Sequence, residues 1–217
     1  MAYGLQIQGS HGVTQVDQDY TNLCLIDRGT VSWDANVIQT LSLSTLSSPL
    51  LAIRTDTPVL IFSNNNIGTT SYFLSSTSSG SGTYYLFDRA TTTNGEPWGL
   101  AIYNSAGALT FHSSWKILRI GAIGQVPNGS LNGDGTPIGS TSLSISAPYS
   151  ATWAAVACSV RYRSFLVNGQ QAMLAFEAVS CNDSAATLTV MGRLLAGQDV
   201  RDQPNGGALM MIDVTGY

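Results

Sequence analysis

The sequence predicts an all-β protein whose antiparallel strands form a β-sandwich or a jelly-roll-like fold. Short apolar runs, alternating or continuous, recur along the whole chain, and joints rich in Gly, Pro, Asn and Ser separate them. Many short strands at regular spacing with such turns are typical of sandwiches. No segment has a convincing helical period, and the stretch 37–49 fits either a helix or a strand followed by a loop.

The chain opens with an element that returns later. Residues 3–23 align without a gap with residues 98–118, and each copy begins with an aromatic residue. In both copies apolar residues alternate on either side of a polar tetrad that ends in Gly, which predicts two related β-hairpins. Six aligned pairs are identical: Gly4 and Gly99, Leu5 and Leu100, Ile7 and Ile102, Ser10 and Ser105, Gly12 and Gly107, Leu23 and Leu118. We interpret the copies as one reused structural unit rather than as two chance hairpins.

Further strands are predicted between and after these hairpins. Each is a short apolar or alternating run bounded by turn residues. The predicted strands are 29–33, 50–54, 58–64, 70–75, 83–89, 98–103, 109–121, 142–146, 153–167, 171–180, 187–195 and 208–217.

One stretch rich in Gly and Pro suggests the domain organisation. We predict an N-terminal β unit over residues 1–120, bracketed by two similar hairpins at 3–26 and 98–121. Residues 121–142 are predicted to form a linker or loop, and residues 143–217 a C-terminal β unit. A loop of this kind also occurs inside single domains, so one continuous sandwich is the alternative.

The composition argues against several classes of partner. Only 10% of the 217 residues are charged, against about 25% in an ordinary soluble domain. The net charge is −4, Lys116 is the only lysine and no basic run occurs, so we expect no nucleic acid as a partner. No apolar stretch approaches the length of a membrane span, so we expect no membrane insertion. A surface with so few charges suits a protein that is covered by neighbours or that acts outside the cell.

The cysteines give no indication of a disulfide framework. Cys24, Cys158 and Cys181 are an odd number and include no C-x-x-C pair. We expect buried free thiols, and a bridge between Cys158 and Cys181 is the alternative.

Few residues are placed to carry catalysis. The two histidines, His11 and His112, are predicted at solvated positions, and no metal-ligand spacing surrounds them. The two glutamates are predicted in a solvated turn (Glu96) and on the polar face of a strand (Glu177). No nucleophile elbow, phosphate loop or dinucleotide-binding motif is present. We therefore predict a protein that is not an enzyme and that uses no cofactor and no metal.

Several motifs resemble those of a known class of protein. The chain starts with the form M-x-YGLQI, followed by a short Gly turn and by Asp17. The second copy reads WGLAIYNSAGALTFHSSWKILRI, and the chain ends in ALMMIDVTGY. These motifs resemble small β-rich structural proteins of siphophage tail tips, and the second copy is the more similar to their hairpin.

This resemblance implies a non-enzymatic structural component of a bacteriophage tail tip or baseplate. The implied partners are other phage tail proteins, further copies in a homo-oligomer expected to be a trimer, and, if the protein contributes to host attachment, a host cell-surface receptor. We expect it in the virion tail after synthesis in the host cytoplasm, because MAYGLQIQGS has no basic segment before an apolar run and so is no signal peptide. The alternatives are a carbohydrate-binding or glycan-hydrolysing β-sandwich protein and a capsid decoration protein.

If the protein joins a tail, we predict that the opening hairpin is the interface, led by Tyr3, Leu5 and Ile7. A hairpin at the start of a chain can extend the sheet of a partner through its strand edges. The alternative is that this hairpin closes its own sandwich.

Overall fold

A computed structural model confirms the all-β, antiparallel prediction. It describes residues 6–8, 14–17, 22–44, 47, 49–66, 69–90, 98–126, 142–160, 162–167, 171–195, 202–203 and 207–217. Every regular element in these residues is a β-strand, and every strand pair among them is antiparallel. Within the same ranges, no helix of a length and hydropathy that would cross a membrane is found.

The described part of the chain contains seventeen strands. In chain order they are β1 Gln6–Gln8, β2 Thr14–Asp17, β3 Leu23–Trp33, β4 Ile38–Ser44, β5 Leu50–Asn66, β6 Thr69–Ser75, β7 Gly80–Arg89, β8 Ala101–Tyr103, β9 Leu109–His112, β10 Ile120–Gln125, β11 Ser142–Ser146, β12 Trp153–Ser159, β13 Tyr162–Val167, β14 Gln171–Cys181, β15 Ala185–Leu195, β16 Asp202–Gln203 and β17 Ala208–Asp213.

The long strand β5 organises the fold. Its first part, 50–54, lies between β7 and β12, whereas 60–66 pairs with β6 and Val59 pairs with β14. The strands therefore form two layers that share β5. The first layer has the order β3, β7, β5, β12, β17, β10, and the second has β4, β6, β5, β14, β15, β11. Strands that pass from one sheet into the next make the corners of such folds.

The sequence predicted two strands, 50–54 and 58–64, where the structure has the single strand β5. Pro58 interrupts no ladder, because it lies where β5 changes neighbours and pairs with no residue. The hydroxyl of Thr55 accepts the N–H of Thr57 at 3.1 Å and stabilises this segment.

For one further segment the structure decides between two alternatives, and for another it differs from the prediction. The stretch 37–49 contains strand β4 and no helix in its described residues. The predicted strand 153–167 is split in two, because β12 pairs with β17 in the first layer and β13 pairs with β14 beside the second. The chain changes layer between them, which alternation in the sequence does not reveal.

The main hydrophobic core lies between the two layers. Its largest fully buried side chains come from both layers: Trp153, Ile53, Leu74, Leu86, Leu188, Leu209 and Met211. Full burial of a Leu, Ile or Met side chain contributes about 1.5–3 kcal/mol to stability. Gly121 in β10 lies so close to the ring of Trp153 that any side chain at this position would collide with it.

A second apolar cluster covers the other face of the first layer. It includes Phe87, Ala154 and Ile212, and the ring of Tyr217 packs against Phe87 with centroids 6.2 Å apart. The Tyr217 hydroxyl donates a hydrogen bond to the carbonyl of Ile117. The segment that follows β9 is thereby held on the same face of the sheet.

Candidate interaction site on the second hairpin

The two repeated elements form hairpins with the same backbone register. The first hairpin is β1–β2 and the second hairpin is β8–β9, each a separate two-stranded sheet. The register shifts at aligned positions, after Ile7 and after Ile102, which leaves Gln15 and Thr110 as the extra residues of a bulge. The pairs are Gln6 with Asp17, Ile7 with Val16 and Gln8 with Thr14, and Ala101 with His112, Ile102 with Phe111 and Tyr103 with Leu109. The prediction of two related hairpins is confirmed.

The geometry of the second hairpin's turn explains why Asn and Gly occur in it. The side-chain oxygen of Asn104 accepts the N–H groups of Ala106 and Ala108 at 3.0 and 2.9 Å. Gly107 has a φ of 77° and donates its N–H to the carbonyl of Asn104 at 2.9 Å. Glycine adopts this left-handed conformation without steric cost, and the first copy also has a glycine, Gly12, at the aligned position of the sequence.

The base of the second hairpin is anchored in the fold. Trp115 is buried with Cys24 and Ala90 in a small apolar cluster. The N–H of Leu25 donates to the carbonyl of Lys116 at 2.8 Å, so the end of this segment also extends the edge of β3. The hairpin is therefore fixed to the first layer by both apolar contacts and backbone hydrogen bonds.

The predicted solvated position of His112 is wrong. The side chain is 3% exposed, and its Nδ1 lies 2.6 Å from the hydroxyl of Ser114. The prediction rested on Asp17 at the aligned position, whereas the imidazole of the second copy packs beside Gly99. A Cβ at Gly99 would lie 3.1 Å from the ring, so glycine makes room for the buried histidine.

Three side chains of the second hairpin segment are exposed to solvent. Trp98, Leu100 and Tyr103 are 85%, 50% and 54% exposed, and we call these three residues the exposed hairpin surface. The backbone of Leu100 is held at both polar groups, because its N–H donates to the Ser113 hydroxyl at 3.0 Å and its carbonyl accepts the Ser113 N–H at 2.9 Å. The surface is thus uncharged, largely apolar and set on a fixed backbone.

Two of the three predicted interface residues, Tyr3 and Leu5, lie outside the described residues. Ile7 lies in β1 and pairs with Val16. The exposed hairpin surface on the second copy was not among the predicted interface residues, although Tyr3 and Leu5 align with Trp98 and Leu100.

The predicted position of Glu177 on a polar strand face is also wrong. Glu177 is 1% exposed, because β14 is covered on its edges by neighbouring strands and Gly207 packs directly against the carboxylate. A carboxylate at this position does not reach a glycan chain in solvent. The glycan-hydrolysing alternative therefore loses the acid that the sequence had suggested for it.

The three cysteines are free thiols. Cys24 and Cys181 are buried, and burial raises the pKa of each thiol to about 12. Cys158 is exposed, so the expectation of buried thiols holds for two of the three, and the bridge between Cys158 and Cys181 is not formed. Thiols with so high a pKa are not nucleophiles at neutral pH. Within the described ranges, no group of three or more His, Cys, Asp or Glu residues is placed to hold a metal.

Comparisons of the chain with models of protein families, with curated proteins and with solved structures find no match. The chemistry of the exposed hairpin surface has to be judged from its own residues. Tyr and Trp are enriched in protein interfaces and among the residues that carry most of the binding energy there. A fixed, uncharged surface built from Trp98, Leu100 and Tyr103 is therefore suited to contact with another protein.

Proposed function

We propose that the protein is a non-enzymatic structural component of a bacteriophage tail tip or baseplate and that it joins its neighbours through the second hairpin. The observation that carries this proposal is the exposed hairpin surface, Trp98, Leu100 and Tyr103, on an anchored hairpin. The phage assignment is supported by the resemblance of this hairpin and of the chain start to siphophage tail-tip proteins.

Physical arguments favour docking at this surface. Removal of exposed apolar surface from water is a main driving force of protein association. Because the backbone of the hairpin is already fixed by hydrogen bonds, little conformational entropy is lost on binding. Among the described residues β8 and β9 pair only with each other, and strand addition at an outer edge of this pair is a second mode of docking in this proposal.

The first hairpin is a second attachment element in this proposal, led by Tyr3, Leu5 and Ile7. Deletion of the first hairpin tests this role, and the start of β3 determines how many residues can be removed. Strand β3 begins at Leu23 and Cys24 is fully buried, so removal of residues 1–21 leaves β3 complete, whereas removal of 1–26 would cut into it. We expect the 1–21 deletion to fold and to lose incorporation into tails; normal incorporation would refute this role.

The expected homo-oligomer is a trimer, because tail tips commonly have threefold symmetry. Sedimentation velocity across a range of protein concentrations measures the oligomeric state. A trimer in solution would support the proposal, and a dimer of twofold symmetry would contradict it.

The proposed function is tested by locating the protein on virus particles. Fab fragments raised against the purified 217-residue chain are imaged by electron microscopy on virions from the source of the gene. Label at the distal end of the tail is the expected result. Label on the head would replace the proposal with capsid decoration, and particles without label would refute a virion role.

A further inference from the structure

A polar groove lies where β5 passes from one layer to the other, and none of its described lining residues belongs to either hairpin. Its cavity has a volume of about 220 Å³ and is lined by Thr30, Arg54, Asp56, Ser81, Thr83 and Asn182, among others. Pockets for drug-sized ligands measure about 300–1,000 Å³. This groove is therefore sized for a smaller molecule, on the scale of a single ring.

Two glycines of β7 allow the groove to form. A Cβ on Gly82 would lie 2.8 Å from the carbonyl oxygen of Arg54, and a Cβ on Gly80 would lie 2.9 Å from Cβ of Thr57. Because neither glycine has a side chain, β7 approaches the bend of β5 closely. Thr55 fixes the floor, since its hydroxyl lies 3.0 Å from the carbonyl of Ser81 and donates to it.

The polar side chains around the groove are held in place by one another. Arg54 donates to both carboxylate oxygens of Asp183, with 2.8 Å between Nη2 and Oδ2. Asn182 donates its amide to Asp56 at 3.1 Å, and its side-chain oxygen accepts the N–H of Ser184 at 2.9 Å. Groups positioned before a ligand arrives lose little freedom on binding it.

The charges at the groove argue against an anionic ligand. The positive charge of Arg54 is already paired with Asp183, and Asp56 adds a second negative charge. An anion would therefore meet a net repulsion. The charge balance leaves neutral, polar molecules as the ligand class that this groove accepts.

We propose that this groove binds one ring of a neutral saccharide. The carboxylate of Asp56 accepts hydrogen bonds from sugar hydroxyls, the amide of Asn182 donates to them, and the hydroxyls of Thr30, Ser81 and Thr83 do either. Among the described residues that line the cavity there is no aromatic ring, so the proposed binding does not rely on stacking. Since hydrogen bonds to a ligand replace hydrogen bonds to water, the affinity is weak, with a Kd of about 1 mM or higher. The inference is independent of the proposed function.

Titration with neutral sugars, followed by the backbone amide resonances of the full chain, tests the proposal. The probes are glucose, galactose, mannose and N-acetylglucosamine, up to about 50 mM. Their methyl glycosides are run alongside, because a blocked anomeric carbon imitates the end of a glycan chain. At least one probe is expected to shift the amides of Gly82, Thr83 and Asn182. Binding of the free sugar alone would indicate a free-sugar site, and equal binding of the glycoside would indicate a glycan end.

Two variants and a matched control complete the test. Asp56→Ala and Thr83→Val each remove hydrogen-bonding groups, and the second keeps the shape of its side chain. Each is expected to weaken binding by about tenfold, the ratio that corresponds to the loss of one hydrogen bond. Asp34→Ala, an exposed aspartate outside the groove, is expected to bind like the wild type. Binding unchanged in both groove variants, the absence of any shift with every neutral sugar, or stronger binding of inorganic phosphate would each overturn the proposal.

Discussion

The two hairpins have the same backbone register and the same bulge, yet they differ at the positions that meet the rest of the protein. In the second hairpin Thr110 and His112 are 2% and 3% exposed. The first copy has Gln15 and Asp17 at these positions. Burying an unpaired carboxylate costs several kcal/mol. The two copies therefore differ in charge and size at positions that are buried in the second hairpin.

The difference shows which positions of a repeated hairpin are kept and which are free to change. Glycine is kept at positions 12 and 107 of the sequence, and the turn at Gly107 requires a left-handed conformation. Ile7 and Ile102 are kept at the residue that precedes the bulge in each copy. Thr110 and His112, which are buried in the second hairpin, correspond to different residues in the first copy, so an equal backbone register does not require equal contacts.

The largest effect on stability is expected at Trp115, which anchors the second hairpin, and not at its exposed surface. Trp115 is 6% exposed and fills the small cluster with Cys24 and Ala90. Trp115→Ala is expected to lower the free energy of unfolding by about 3–5 kcal/mol, because it removes buried apolar contacts and leaves a cavity. Urea denaturation followed by circular dichroism measures it, and a loss below about 1 kcal/mol would show that the hairpin is not anchored there.

The turns provide a test of whether both hairpins contribute equally to stability. Gly107→Ala places a Cβ at a φ of 77°, which costs about 1–2 kcal/mol. Gly12→Ala changes the aligned residue of the first copy. We expect Gly107→Ala to lower the urea midpoint more, because the second hairpin is joined to the cluster around Trp115. A larger effect of Gly12→Ala would reverse the roles that we assign to the two hairpins.

Acid should weaken the attachment of the segment that follows the second hairpin. Burial raises the pKa of the Asp213 carboxyl, but hydrogen bonds from Thr215 and the charge of Arg119 outweigh this, and the pKa lies below its ordinary value of 3.8. The folded state thus favours the charged form, so its contribution is complete above that value and is lost as the pH falls through the folded pKa.

Asp213→Asn is expected to be less stable than the wild type at neutral pH and to have a flatter stability curve between about pH 5 and about pH 3. Unfolding by urea at each pH gives the curve. Asp34→Asn, an exposed aspartate elsewhere, serves as the control and should follow the wild type. Equal slopes for Asp213→Asn and the wild type would show that Asp213 does not contribute through its charge.

The smallest expected effect on stability belongs to the exposed hairpin surface. Trp98→Ala removes a side chain that is 85% exposed, and such substitutions change stability by about 0.5 kcal/mol or less. The same experiment as for Trp115→Ala measures it, so one type of substitution in one hairpin is compared at a buried and at an exposed site. A large loss would mean that Trp98 supports the fold and is not free to bind.

Much of the fold was predictable because its determinants are local. Alternation of apolar residues and Gly turns identified most strands, and the alignment of residues 3–23 with 98–118 identified both hairpins. The continuation of β5 through Pro58 was not predictable, because it depends on strands distant in the sequence, β14 and β6, with which β5 pairs after this residue. The burial of Glu177 was missed for the same reason: Gly207, which covers its carboxylate, is far along the chain.

The sequence indicated the residue types of the exposed hairpin surface but not which copy exposes them. The repeat singled out its aromatic and leucine positions in the first copy, at Tyr3 and Leu5. Exposure depends on what each hairpin packs against, and the structure describes this for Trp98 and Leu100. The polar groove arises where β5, β7 and the turn at Asn182 converge, and none of these segments has a sequence motif that indicates it.

The central proposal is that the exposed hairpin surface joins the protein to its neighbours. It is tested most directly by measuring how much of the chain is present on purified particles when Trp98→Ala/Tyr103→Ala replaces the wild type. Val37→Ala/Ile38→Ala, at two positions that are each 49% exposed, is the matched control. We predict that the hairpin variant folds like the wild type and that its incorporation falls by about tenfold or more, while the control incorporates normally. Normal incorporation of the folded hairpin variant would contradict the claim.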